Sequence, residues 1–326
     1  MQKTQDELFA LVEQAIVSMN WKKEPIGLYD PIEYVLSLSG KRLRPVLALM
    51  ACNLYTDDLQ SAVNPAIALE VFHNFTLLHD DIMDKADTRR GKPTVHKRWN
   101  DNTAILSGDA MLIEAYKLIA DCPPNVLKKV LDVFSQTALE VCDGQQYDME
   151  FETRTDVSMV DYIEMIRLKT AVLLAGSLKI GAIIGGANDQ DANCLYNFGI
   201  NIGIAFQLRD DYLDVFGDKL VFGKNIGGDI LANKKTFLLI EASSLAQAET
   251  KAELENWVAN NDPKHASDKI AAITEIYKKT GVDFRCEEKM NFYFNESVES
   301  IKNLQCSDNK NIVLLNFAKS LLCRKK

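Results

Sequence analysis

Three features of the chain predict an all-α fold. Pro (8) and Gly (16) are scarce for 326 residues. No alternating apolar–polar pattern persists long enough to build a sheet. Leu, Ala, Ile, Lys and Glu recur at helical spacing, and apolar residues make up 47% of the chain, enough for a sizeable core. A single domain over residues 1–326 is the simplest arrangement: one large helical bundle around a central apolar cavity.

The elements follow in order. Residues 5–20 form an amphipathic start. A loop over 22–30 holds Pro25 and Gly27, and Pro31 sits at the first turn of a helix running toward Ser39. Gly40-Lys41-Arg42-Leu43-Arg44-Pro45 is a short basic break whose proline starts the next helix. Asn64-Pro65 starts another, unbroken to about Asp84, and a charged loop covers 85–100. Further helices are expected over 102–120, 124–148, 158–185, 189–216 and 233–246. Asp121 to Pro124 separates the first two of these, and Gly185-Gly186 ends the third. Residues 250–326 read as three or four more helices with polar links. Neither a solenoid repeat nor a low-complexity linker is visible.

Charge narrows the function. Lys and Arg total 37 against 46 Asp and Glu, a net charge of −9, whereas a nucleic-acid binder is more often basic. The seven Cys (52, 122, 142, 194, 286, 306, 323) form no CxxC pair. They read as buried small hydrophobes in a reducing, cytoplasmic compartment. Met1 to Glu7 has no signal-peptide character. No apolar run reaches about 18 residues without a charged or polar interruption, so no membrane span is expected. Cys323 lies four from the end, but Cys323-Arg324-Lys325-Lys326 lacks the aliphatic residues of a prenylation box.

Two copies of one acidic pattern carry the chemistry. Asp80-Asp81-Ile82-Met83-Asp84 and Asp210-Asp211-Tyr212-Leu213-Asp214 each place carboxylates at i, i+1 and i+4 within apolar sequence free of Gly and Pro. On a helix, i and i+4 share a face about 5.4 Å apart along the axis. A lone acidic pair of this kind is usually a solvated helix face. Two identical ones deep in hydrophobic sequence point to metal, because clustered carboxylates repel unless cations hold them. Hard oxygen donors suit Mg²⁺, which keeps positions open for water and phosphate oxygens. Two such helices facing each other would cage a metal-bound diphosphate.

Basic residues lie where such a cage needs them. Arg89-Arg90-Gly91 follows the first motif. Lys224 follows the second, and Lys234-Lys235 lies just beyond Asp229. Lys41 and Arg44 form a separate pair upstream, and Lys169-Thr170 interrupts an apolar stretch. Together they exceed what one phosphate group needs. Two anionic substrates are implied, one held by metals and one by Lys and Arg alone.

With these motifs the chain resembles the trans-isoprenyl diphosphate synthases of the polyprenyl synthetase family. The matching stretches are Gly40–Pro45, Phe72–His96 (FHNFTLLHDDIMDKADTRRGKPTVH), Lys169-Thr170, Phe206–Asp218 (FQLRDDYLDVFGD) and Phe222–Thr236 (FGKNIGGDILANKKT). They cover about residues 40 to 240, with weaker similarity beyond. The resemblance implies that Asp80, Asp84 and Asp210 bind Mg²⁺ directly, with Mn²⁺ as a substitute. Asp81, Asp211 and Asp214 would support them or bind through water. Arg89, Lys169, Lys224 and Lys234 would hold an allylic diphosphate (dimethylallyl, geranyl or farnesyl). Lys41, Arg44, His73 and Arg90 would hold isopentenyl diphosphate. Thr170 and Gln207 would turn oxygens toward a developing allylic cation.

The implied reaction is head-to-tail (1′-4) prenyl transfer, in which the allylic diphosphate ionises and the isopentenyl double bond attacks. No Ser-His-Asp or Cys-His set is present, and the reaction needs none. Phe75, five residues before Asp80, is a common floor for the growing chain in this family, and Thr76 beside it is small. A C20 product is favoured, with C15 the alternative. An ideal helix turns Phe75 roughly 140° from Asp80, so this floor rests on the resemblance. The family also implies a homodimer, with contact around 102–148, and some relatives fold a basic C-terminus over the site. A class I terpene cyclase shares the first motif, but it would need only one diphosphate site and usually lacks a second Asp-rich motif. A non-catalytic synthase subunit would have lost some of the six Asp.

Overall fold

The computed structural model describes residues 2–217, 226–306 and 311–322. Their regular structure is almost wholly helical, with one two-stranded hairpin. Helix α1 (Gln5–Ser18) opens on a capping box, in which Glu7 N donates to the Thr4 hydroxyl and Thr4 N to the Glu7 carboxylate. It buries Leu8, Val12 and Ile16, one face at i, i+4 and i+8. Next come α2 (Ile26–Ser37), α3 (Leu43–Asn53) and α4 (Gln60–Met83).

All three start before the prolines expected to open them: α3 at Leu43, two residues ahead of Pro45, and α2 and α4 by more, with Pro31 and Pro65 inside them. Side chains upstream supply the starts of α2 and α4. Ile26 N donates to the Glu24 carboxylate at 3.1 Å, and Gln60 N to the Asp58 carboxylate at 3.0 Å. Each caps an orphan N–H, so the helix begins there and carries its proline inside.

The charged stretch after α4 is more ordered than a loop. Strands β1 (Thr88–Arg89) and β2 (Lys92–Pro93) form a hairpin, followed by α5 (Val95–Arg98). Helices α6 (Asp101–Ile119), α7 (Leu127–Phe151) and α8 (Met159–Ile166) follow. A π-helical turn over Arg167–Ala171 joins α8 to α9 (Val172–Gly185), and α10 spans Asp189–Phe216, as the sequence predicts. Among the described residues there follow α11 (Gly228–Leu231), α12 (Phe237–Leu245), α13 (Ala248–Ala259), a 3-10 turn (Pro263–His265), α14 (Ala266–Thr280), α15 (Val282–Ser300) and α16 (Ile312–Leu322).

The chain forms two compact units. One comprises residues 1–136, 176–196 and 304–313; the other comprises 137–175, 197–303 and 314–326. In the first, α3 is buried from Pro45 to Asn53. Gly181 of α9 lets the two backbones meet there, since a Cβ would stand 1.9 Å from the Ala48 carbonyl oxygen. Buried Asp191 ties this unit further, accepting from the Tyr55 hydroxyl and from Gln305 N. In the second unit, Tyr162, Ile166, Leu208, Phe237, Leu238 and Ile276 belong to one apolar core. Gly199 and Gly203 of α10 pack on the backbone at Ala175 and Ala171.

Met159–Gly185 is long and apolar enough to cross a membrane, but 72% of its most apolar window is buried in protein. It also carries Arg167 and Lys169, so it reads as a core helix. Of the described cysteines, Cys52, Cys122 and Cys286 are buried as expected. Cys142 is exposed, and Cys194 and Cys306 are intermediate.

Candidate active site

The first acidic motif closes α4. Asp84 N donates to the Asp80 carbonyl at 2.8 Å, so helical spacing persists through the motif although the helix ends at Met83. Asp80 is half-buried and Asp84 exposed, whereas Asp81 is buried. Asp81 Oδ1 accepts from Arg89 Nε at 2.8 Å and from Arg89 Nη2 at 2.7 Å. Burial pushes the Asp81 carboxyl up, and the Arg89 guanidinium opposes that shift.

The hairpin separates Arg89 from Arg90. Both loop residues between β1 and β2 have positive φ, 53° at Arg90 and 72° at Gly91, as a type I′ turn requires. The hairpin base is closed by Thr94, whose hydroxyl donates to the Ala86 carbonyl at 2.7 Å. Arg89 thereby returns to Asp81, while Arg90 at the tip reaches the basic break. Arg90 Nη1 donates to the Leu38 carbonyl at 3.3 Å, and its guanidinium lies 3.2 Å from where a Gly40 Cβ would stand. Gly40 thus leaves the room in which Arg90 lies.

Within the basic break the three cations differ. Arg42, at φ 46°, is buried. Its guanidinium binds Glu70 at 2.8 Å, Glu13 at 2.7 Å and the Leu36 and Leu38 carbonyls at 2.9 and 3.2 Å. It anchors the loop, a role the sequence analysis missed. Buried Glu70 in the apolar run of α4 was the available signal. Arg44 Nε is buried without a hydrogen-bond partner, and burial lowers the Arg44 pKa to about 10 despite Glu70 nearby. Burial, and then Arg44, Arg90, Arg89 and Arg42, hold the His73 imidazole well below its ordinary value, so it is neutral near pH 7. Lys41 is exposed beside this cluster. Glu70 is engaged by Arg42, so Arg44, Arg90 and neutral His73 make a place suited to an anion.

The second motif lies on α10, in the other unit. Its pattern repeats the first: Asp210 and Asp214 are half-buried, and Asp211 is buried. Asp211 Oδ2 accepts from the Tyr162 hydroxyl at 2.6 Å, and Oδ1 from Gln207 Nε2 at 2.8 Å. Gln207 Oε1 in turn accepts from the Thr170 hydroxyl at 3.0 Å. Burial, with Asp229 and Asp210 nearby, pushes the Asp211 carboxyl up to about 8. Asp229 adds a carboxylate that the sequence analysis used only as a landmark. Its backbone N donates to Asp214 Oδ2 at 3.0 Å, and Gly227 N donates to the Asp214 carbonyl at 2.6 Å.

Lys169 sits on the π-helical turn and donates to Asp148 Oδ2 at 2.6 Å. Such turns recur at functional positions. Gly144 of α7 permits this one, since a Cβ there would lie 2.2 Å from Lys169 N. Lys234 N donates to the Asp229 carbonyl at 3.0 Å, and Lys234, Asp229, Thr236 and Tyr277 line a small cavity. Lys224 and the basic end Arg324–Lys326 lie outside the described residues. Phe75 packs edge-on against His79, with centroids 4.8 Å apart, and Thr76 donates to the His73 carbonyl at 2.8 Å.

These donors fit a hard divalent ion. Among the described residues no three His, Cys, Asp or Glu side chains converge as a ready cage. Mg²⁺ does not need one: it takes one or two carboxylates and completes its shell with water and phosphate oxygens. Each motif offers one carboxylate pair a turn apart, and Asp229 and Asp210 crowd Asp211 with like charge that a cation relieves.

The sequence pattern of the polyprenyl synthetase family matches residues 26–278. A geranylgeranyl diphosphate synthase of Methanosarcina mazei is 43% identical over 234 residues, 71% of this chain and 72% of that protein. A geranylfarnesyl diphosphate synthase of Natronomonas pharaonis is 34% identical over 295 residues, 85% of this chain and 84% of that protein. A solved structure of a geranylgeranyl pyrophosphate synthase aligns with a TM-score of 0.94 at 44% identity, covering 99% of this chain and 100% of that one. The chain belongs to the polyprenyl synthetase family.

Proposed function

We propose that the chain is a short-chain trans-isoprenyl diphosphate synthase, a Mg²⁺-dependent prenyltransferase that condenses isopentenyl diphosphate with an allylic diphosphate. The observation that carries this is the shared arrangement of the two acidic motifs. In each, the middle Asp is buried on the chain's own donors, and the first and fifth are left accessible. Asp80 and Asp84 would hold metal at the first motif and Asp210 at the second; Asp81, Asp211 and Asp214 would support them or act through water. Bound there, Mg²⁺ supplies charge neutralisation for the departing diphosphate.

The remaining roles belong to the chain's cations and oxygens. Arg89, Lys169, Lys224 and Lys234 bind the allylic diphosphate. Arg44, Arg90, Lys41 and the neutral His73 orient isopentenyl diphosphate without metal. Thr170 and Gln207 present oxygen dipoles to the developing cation, and apolar walls keep out the water that would quench it. Phe75 floors the growing chain at C20. The protein works as a cytoplasmic homodimer. Ile105, Leu106 and Ile113 support the dimer, standing 45%, 59% and 63% exposed on α6.

Product analysis tests the proposal. Purified protein receives Mg²⁺, labelled isopentenyl diphosphate and each of dimethylallyl, geranyl and farnesyl diphosphate. A C20 product lost on chelation is expected. Products stopping at C15 or running to C25 would keep the reaction and move the floor, and no condensation with any primer would sink the reading.

A further inference from the structure

We propose that His79 is a positioning residue for product length, its ring bracing Phe75 from a seat on α6. The inference rests on Phe75 being the floor of the growing chain. Phe75 and His79 are four residues apart on α4, and their rings meet edge to face, centroids 4.8 Å apart and planes at 68°. The imidazole is fixed from the far side. With the proton on Nε2, it donates to the Ile105 carbonyl of α6 at 3.1 Å. It also fills the space beside Gly108, where a Cβ would stand 2.3 Å from Nε2 and 2.6 Å from Cδ2. Any other residue at position 108 would evict the ring from this seat.

Phe75 is bracketed by two rings. On one side lies Phe72 at 5.6 Å, itself in edge contact with Phe134 at 5.4 Å, which meets Tyr116 at 4.9 Å. Phe72 and Phe134 are fully buried and cannot give way. On the other side lies His79, whose side chain is 21% exposed. Of the two supports, only His79 can be removed to leave room into which Phe75 can turn. Asp80, the next residue, projects about 100° around the helix, so the brace is separate from the carboxylate pair.

His79→Ala is expected to let Phe75 tilt into the vacated slot and lengthen the product. The C25-to-C20 ratio should rise about three- to tenfold, the scale of one lost aromatic edge contact. Phe75→Ala alone should also lengthen the product, and adding His79→Ala to it should change nothing more, because His79 acts through Phe75. Wild-type product length in His79→Ala, or full additivity in the double variant, would overturn the inference while the floor stood. Unchanged length in Phe75→Ala would remove the floor and the inference with it. A crystal structure of His79→Ala reads the same point without turnover: a displaced Phe75 ring is expected, and an unmoved one overturns the brace.

Discussion

Two aspartates with the same place in their motifs, Asp81 and Asp211, are both buried and both held by the chain's own donors. A buried acceptor that loses its donor carries a full desolvation cost, and a hydrogen bond is worth about 0.5–1.5 kcal/mol net, or about 1.5–3 kcal/mol where the acceptor is ionised. Tyr162→Phe should therefore slow turnover by roughly tenfold or more, with a matching loss in urea stability. Turnover unchanged at saturating Mg²⁺ would show that Asp211 needs no such support. Asp211 also sets a pH dependence in metal-free protein. Its folded pKa is near 8, while in the unfolded chain it ionises near roughly 4. Between those values the unfolded state sheds the proton and the folded state keeps it, so stability falls as pH rises across that window. Urea midpoints at about pH 5 and pH 8 should differ in wild type and converge in Asp211→Asn; equal slopes in both would contradict the assignment. The six Asp were legible because their spacing is periodic. Arg42, Tyr162, Asp148 and Asp229 were not, because each gains its role from a partner distant in sequence or from a backbone turn.

At the scale of elements, close backbone approach decides how the site residues are presented. Gly144 lies against the π-helical turn that carries Lys169 and Thr170. Gly144→Ala should displace that turn, costing about 1–3 kcal/mol by overpacking and lowering turnover; unaltered kinetics would show that the turn tolerates displacement. The Arg42–Glu70 pair holds the basic break, both side chains 2% exposed. Removing one partner of such a pair costs about 3–5 kcal/mol, so Arg42→Ala should lower the denaturation midpoint sharply. Helix periodicity located most helices, and α10 matches its expected span. It failed at α2 and α4, where carboxylates of Glu24 and Asp58 cap earlier N–H groups than the prolines suggested. The hairpin was also unread, since Arg90 carries a positive φ usually left to Gly or Asn.

For the whole molecule, an all-α chain with two acid-rich helices belongs to a family whose similar members include C20 and C25 synthases by name. Family membership alone therefore leaves product length to be measured, and the proposed floor at Phe75 is where a substitution tests it. The exposed Ile105, Leu106 and Ile113 on α6 are the surface on which the proposed homodimer is tested. Sedimentation of the purified protein should give twice the chain mass, and Ile113→Glu should shift it toward monomer. The measurement that bears most directly on the paired-motif mechanism is the condensation rate of Asp80→Asn and Asp210→Asn across a Mg²⁺ titration. The proposed mechanism predicts that each loses on the order of 10²-fold or more at any Mg²⁺ level, since it requires carboxylates of both motifs. Wild-type rates in either variant would contradict a mechanism that needs carboxylates from both motifs.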